Sequence, residues 1–159
     1  FEPSFSTFAQ LCKNLILNGC QESIVPIQVA LSNTTAIDNF NYYSLSPGTA
    51  VHTLGEAVDF AGVAFTPVSK QPVLGYRGDD FVKQFGIPTP NHIKIDVDGI
   101  EHSVLHGMKE ILSSSSLRSM MLEINEGRGG ADEIMKYLSD RGLKPISSLG
   151  TNHLFVRNT

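Results

Sequence analysis

Cysteine is scarce in this chain of 159 residues, with Cys12 and Cys20 as its only thiols. Two cysteines at the ends of one predicted helix make no disulfide framework, and idle core thiols are the economical reading. Charge of one sign is not concentrated. Lys and Arg number 12 against 16 Asp and Glu, a formal net charge of −4 with no basic cluster, so nucleic acid is not an expected partner. No apolar run approaches the roughly 20 residues that span a bilayer. No basic-then-apolar leader is visible, and cytoplasmic placement is the expectation. The chain opens at Phe1 without a Met, so it reads as a fragment or a processed chain. With 41% hydrophobic and 18% charged residues it has the composition of an ordinary globular protein, and its length suits one domain over 1–159.

Apolar spacing predicts a first helix through Phe5, Phe8, Ala9, Cys12, Leu15 and Ile16, capped by Ser4 or Ser6 and stopped at Gly19. Val25, Ile27, Val29 and Leu31 alternate as a strand that Pro26 brings in near an edge, and 37–44 reads as another. Residues 46–78 hold several Gly and Pro among short β-like pieces and read as an irregular excursion. Asp79 or Asp80 should cap a short helix over 81–85. A strand at 93–97, an apolar helical face from Ile100 to Leu112 and a strand at 120–124 follow. The last is apolar on both faces, as a central parallel strand requires. After a loop at 126–130 come a helix through Ala131 and Leu138 and two strands, 143–147 and 153–157, as an antiparallel pair. Strand, helix, strand, helix and closing hairpin is α/β grammar, and the fold expected is a Rossmann-like, doubly wound, mostly parallel sheet with a C-terminal antiparallel strand.

The most informative stretch is IKIDVDGIEHSVLHG at 93–107, a buried-strand pattern that ends in acids and turns into a helix. In open α/β sheets ligands bind outside the carboxyl ends of the strands, where Asp96, Asp98 and Glu101 fall. Asp98 with Glu101 fits an Asp-x-x-Glu capping box, a structural use as good as a functional one. Asp96 has no such use, and an acid there should be paired or functional, with Lys94 on the same side of the strand. His102 and His106 stand four apart, as in His-Glu-x-x-His metal sites, but the order here is Glu-His-x-x-x-His. A zinc site is therefore not expected, and solvent-facing histidines are. Glu2 precedes the first helix, where an acid either takes hydrogen bonds from ribose hydroxyls or serves the helix dipole. Residues 127–130, Gly-Arg-Gly-Gly, offer either an anion cradle or a flexible loop.

Together these segments resemble the FkbM-type family of S-adenosylmethionine-dependent methyltransferases over nearly the whole chain. FEPS at 1–4 is similar to the family's acidic turn after its second strand, and VALSN at 29–33 to its adenine-side turn after the third. KIDVDGIEHSVLHG at 94–107 resembles the family's Lys-x-Asp-x-Glu-Gly-x-Glu-x-x-x-Leu-x-Gly pattern, with Asp98 where Glu is usual. MLEINE at 121–126 and NHLFVR at 152–157 are similar to its following and last strands. Family members also carry a central strand and a Gly-rich turn before the Phe-Glu-Pro segment. This chain is expected to lack both, and with them half of the cofactor site.

The resemblance implies S-adenosylmethionine as cofactor and O-methylation of a hydroxyl on a sugar or other small metabolite. Glu2 would hold the cofactor ribose, and Ala30, Leu31 and Ser32 would line the adenine. Asp96 would sit beside the transferring methyl as base or acceptor-positioner, with His102 as the second candidate and Asp98 and Glu101 orienting the substrate or a divalent cation. The expected partners are a small hydroxyl acceptor and, through the open slot left by the missing strand, a second copy in a homodimer. Two rival readings stay open. Asp96-x-Asp98-Gly99 superficially matches the nucleophile motif of haloacid-dehalogenase-like phosphohydrolases, with Ile100 where Thr or Ser is normal. A non-catalytic, truncated binding domain is the other.

Overall fold

The computed structural model describes residues 1–59, 61–124 and 130–158. Its elements in chain order are α1 (Phe5–Leu17), β1 (Ala30–Leu31), β2 (Ala36–Tyr42), β3 (Thr53–Leu54), β4 (Ser69–Tyr76), α2 (Gly78–Phe85), β5 (His92–Ile95), α3 (Glu101–His106), α4 (Lys109–Ser113), β6 (Ser119–Glu123), α5 (Ala131–Ser139), β7 (Leu143–Leu149) and β8 (Asn152–Arg157). They form an α/β structure with two sheets, ordered β1-β4-β2-β3 and β5-β6-β8-β7.

The single, mostly parallel sheet expected from the sequence is corrected to two mixed ones. Parallel pairing is confined to β1 with β4 and β5 with β6. The other pairs are antiparallel: β7 turns straight back into β8, which also pairs with β6, and β2 pairs with both β3 and β4, with no described helix between them. Within the second sheet the expectations hold. β5 and β6 run side by side in parallel register from His92 opposite Ser119 to Ile95 opposite Leu122, and β7 and β8 close it as an antiparallel pair.

Packing explains the remaining differences. Tyr42, fully buried, accepts from the Phe5 amide and donates to Gln71, which pins the start of α1 to the first sheet. Ser4 caps that helix as expected, yet α1 buries only Leu15 and leaves Ile16 and Leu17 exposed. The strand expected over 25–31 shrinks to Ala30–Leu31, preceded by one bond from the Glu2 amide to the Ile27 carbonyl. The eight-residue β4 lies inside the excursion read as irregular. Its Pro72 is tolerated because that stretch of β4 pairs with β2 alone. β6 is buried through Met120 and Leu122 while Met121 is partly exposed, so it is a one-sided strand and not one buried on both faces.

The helix expected from Ile100 to Leu112 is broken into α3 and α4 at Gly107 and Met108. The cause is a close approach. A Cβ on Gly107 would lie 2.0 Å from the Ser32 carbonyl oxygen, so only glycine lets α3 end against the backbone beyond β1. The same junction is locked by Asp79, which was expected to cap its own helix. Instead α2 has no side-chain cap, and the buried Asp79 carboxylate accepts the Glu110 and Ile111 amides at the start of α4, while its own amide donates to the Gly107 carbonyl. The main core lies below the second sheet, where Val104, Leu105, Leu112, Ile134 and Leu138 pack on Ile95, Leu122 and Phe155.

Replacing Gly107 with Ala should therefore force α3 away from Ser32 and cost about 1–3 kcal/mol as overpacking against rigid backbone. Urea unfolding read by circular dichroism checks this, and an unchanged midpoint would show that the approach relaxes freely.

Candidate functional site

Between the two sheets lies a cavity of about 500 Å³, within the range of roughly 300–1,000 Å³ usual for small-molecule sites. One wall is Phe1 to Pro3 with Val29 to Leu31, the opposite wall is Lys94 to Asp98, and residues 48–50 with His52 form a strap between them. Among the described strands β5 hydrogen-bonds to β6 alone, so its other edge borders this space. β5 stops at Ile95, and Asp96 therefore sits just past the ladder, at the carboxyl end where open α/β sheets bind ligands.

The Glu2 carboxylate accepts the Ser4 amide at 2.8 Å, which orders the turn into α1. Burial pushes its pKa above the ordinary value, against the pull of that amide. A half-buried carboxylate of this kind is ready for further donors. Asp96 is held the other way. The Lys94 ammonium, 2.6 Å from Oδ2, keeps its pKa low against the opposing effect of burial. Lys94 and Asp96 are both more than half exposed, so their pair contributes little stability and leaves the carboxylate reachable.

The expected Asp98–Glu101 capping box is not formed. Ile100 is the N-cap of α3 and makes no side-chain bond, Glu101 accepts the Gly99 amide, and Asp98 Oδ2 reaches across to accept the Val51 amide at 2.6 Å. That reach gives Asp98 Oδ2 a structural task in tying residues 48–52 to the acidic edge. Glu101 is buried, and burial raises its pKa with Glu123 and Asp98 adding to the effect.

Glu2, Ala30, Leu31, Asp96 and Asp98 thus meet around one cavity, whereas Ser32, Glu101 and His102 lie outside its lining. The Ser32 hydroxyl turns to Asn33, and its carbonyl meets Gly107. His102 is exposed on α3, 3.6 Å from Glu133 of α5 and stacked on His106. His106 directs Nδ1 to the His102 carbonyl and its ring to Tyr137. Among the described residues no three Asp, Glu, His or Cys side chains are placed to hold a metal ion. Most of the Gly-Arg-Gly-Gly loop at 127–130 lies outside the described residues.

Two residues of the site had no reading from the sequence. Glu123 ends β6 beside Asp96 and is visible in hindsight as a second acid closing an apolar strand. His52 lies in the excursion with no motif around it, and only the fold brings it to the cavity.

A glutamate whose pKa is raised binds its proton more tightly folded than unfolded. Its contribution favours the fold at low pH and is lost as pH rises through the folded-state value. For Glu101 that window begins near the ordinary 4.5. The stability of Glu101→Gln relative to the parent should therefore increase between pH 4 and 7. Denaturant midpoints across that range test this, and a constant difference would remove burial as the cause.

The family model described as the methyltransferase FkbM domain matches residues 1–145. The hexuronic acid methyltransferase AglP of Haloferax volcanii is 28% identical over 157 residues, which cover 98% of this chain and 59% of that protein. No solved structure matches the chain. With the family model covering the chain up to the first residues of β7, the chain belongs to the FkbM methyltransferase domain family.

Proposed function

We propose that this domain binds S-adenosylmethionine in the cavity between its sheets and directs methyl transfer to a hydroxyl of a sugar or another small metabolite. The observation that carries the reading is convergence. Glu2, Ala30 with Leu31, and Asp96 come from three separate segments and line one space. The family membership and the name of the sugar-acid methyltransferase relative support it.

The residues present fit the cofactor. Glu2 is a half-buried carboxylate that gains from hydroxyl donors, as a ribose would provide, and Ala30 and Leu31 offer an apolar wall for a purine. The edge of β5 with which no described strand pairs borders the same carboxyl-end site. Bound there, S-adenosylmethionine supplies a methyl group already activated on a sulfonium.

What the chain must do is align and move a proton. Asp96, kept ionised by Lys94, accepts the hydrogen bond of the acceptor hydroxyl and fixes its approach. It is a weak base at neutral pH because its pKa is lowered. A weak base suffices, since the hydroxyl proton becomes strongly acidic as the oxygen is alkylated, and the carboxylate takes it then.

In the full-length protein, Glu2→Ala should weaken S-adenosylmethionine binding by about 1.5–3 kcal/mol, the worth of a charged hydrogen-bond acceptor. Calorimetry showing unchanged affinity would take Glu2 out of the site. Asp96→Asn should lower turnover by about 10²-fold or more with cofactor affinity little changed. Equal losses of turnover and folding stability would make the Lys94–Asp96 pair structural instead.

A further inference from the structure

We propose that residues 43–52 form a flap over the cavity, latched to its acidic edge by the bond from the Val51 amide to Asp98, and that S-adenosylmethionine enters and leaves when this latch opens. The inference rests on the reading of the cavity as the cofactor site and adds to it the step that controls access.

The flap is the loop that joins β2 to β3, and its base is fixed. Phe40 and Asn41 pair with Leu54 and Thr53 directly below it. The Tyr43 amide donates to His52 Nδ1 at 3.2 Å, closing the loop across its two ends, and the His52 ring packs on Tyr42 and Phe40. The tip is held differently. The Gly48 amide donates to Thr7 Oγ1 of α1 at 3.2 Å and the Val51 amide to Asp98 Oδ2 at 2.6 Å, one hydrogen bond to each side of the cavity. None of residues 44–51 belongs to a core cluster among the described residues, and Gly48 and Ala50 are exposed while they line the space. A segment with so few buried contacts opens locally at little cost.

The walls cannot open in its place. β1 is laddered to β4 and β5 to β6, and the backbone contact of Gly107 with Ser32 fixes the distance between them. The flap is the boundary of the cavity that can move.

Val51 sets the balance between its two positions. It is the one non-glycine residue with a positive φ among those described, at +73°, a left-handed conformation unfavourable for a β-branched side chain. Such strain persists only where the surroundings over-determine it, and it gathers at ligand clamps and switch segments. Here the surroundings are one charge-assisted bond, to Asp98. The bond and the strain are of the same order and oppose each other, so the closed and open flap lie close in free energy. That is the condition for a gate which a ligand can cross and still find closed behind it.

Amide hydrogen exchange and surface plasmon resonance with S-adenosylmethionine, both on the full-length protein, test the latch. The informative amide is Gly48, which bonds to Thr7 and not to Asp98. In Asp98→Ala it should exchange about tenfold faster, because the tip opens as one unit, while the core amide of Leu122 keeps its rate. The association and dissociation rates of S-adenosylmethionine should rise together by a similar factor and Kd should move far less. Val51→Asn keeps the amide and tolerates the left-handed conformation, so it should shift the Gly48 exchange and both rates in the opposite direction. Gly48 exchange unchanged in Asp98→Ala, or cofactor rates unchanged in both variants while the parent binds S-adenosylmethionine, would overturn the flap alone. A parent protein that does not bind S-adenosylmethionine would overturn the cofactor reading and the gating role with it.

Discussion

Two sheets that share no strand keep a fixed spacing only if something rigid joins them from below, and here that is the contact of Gly107 with the Ser32 carbonyl. Backbone against backbone leaves no side chain to yield, so the end of α3 and the turn after β1 define one distance. Asp79 reinforces it by accepting two amides of α4 while its own amide binds Gly107. Everything above this junction follows. The Ala30–Leu31 wall and the Lys94–Asp98 wall face each other at the width it sets, and the cavity is the space left between them.

The acids around that space are not equivalent, because each meets a different environment. Asp96 lies beside an ammonium and stays charged, Glu2 and Glu101 are pushed toward the neutral form by burial, and Asp98 is tied to an amide on the far side. Such divergence among neighbouring carboxylates is what a site needs to hold a polar ligand at one point and a proton acceptor at another. It also explains why the acids do not simply repel one another out of the fold. Lys94 neutralises the most exposed, and backbone donors take up Glu2, Asp98 and Glu101 in turn.

The segment from Lys94 to Gly107 was legible in the sequence because its logic is local. An apolar strand, an acidic turn and an amphipathic helix lie within one contiguous stretch, and the parallel pairing of β5 with β6 follows from it. The Glu2 and Ala30 turns were legible only through their resemblance to a family pattern, yet they do border the cavity. What stayed hidden was non-local. β4 carries Pro72 and Gly75, residues that argue against a strand, and it forms because β2 supplies a continuous antiparallel partner from Ala36 to Tyr42. The split into two sheets was equally beyond local patterns.

Of the two uses the sequence left open for Asp98, the local one gives way. Its spacing from Glu101 satisfies a capping box, and α3 still begins without one, with Ile100 as N-cap. A capping bond contributes about 1 kcal/mol, whereas the carboxylate makes a short charge-assisted bond to an amide whose residue is strained. The stronger demand takes the side chain. The helix start is left to Glu101, which reaches back to the Gly99 amide. A residue that abandons the local bond its sequence position offers in order to hold a strained loop over a cavity is placed by the cavity and not by the helix. By the same reasoning the conservative Asp at this position, where the family pattern has Glu, sets the reach of that tether, since a side chain longer by one methylene would push the strap outward from the acidic edge.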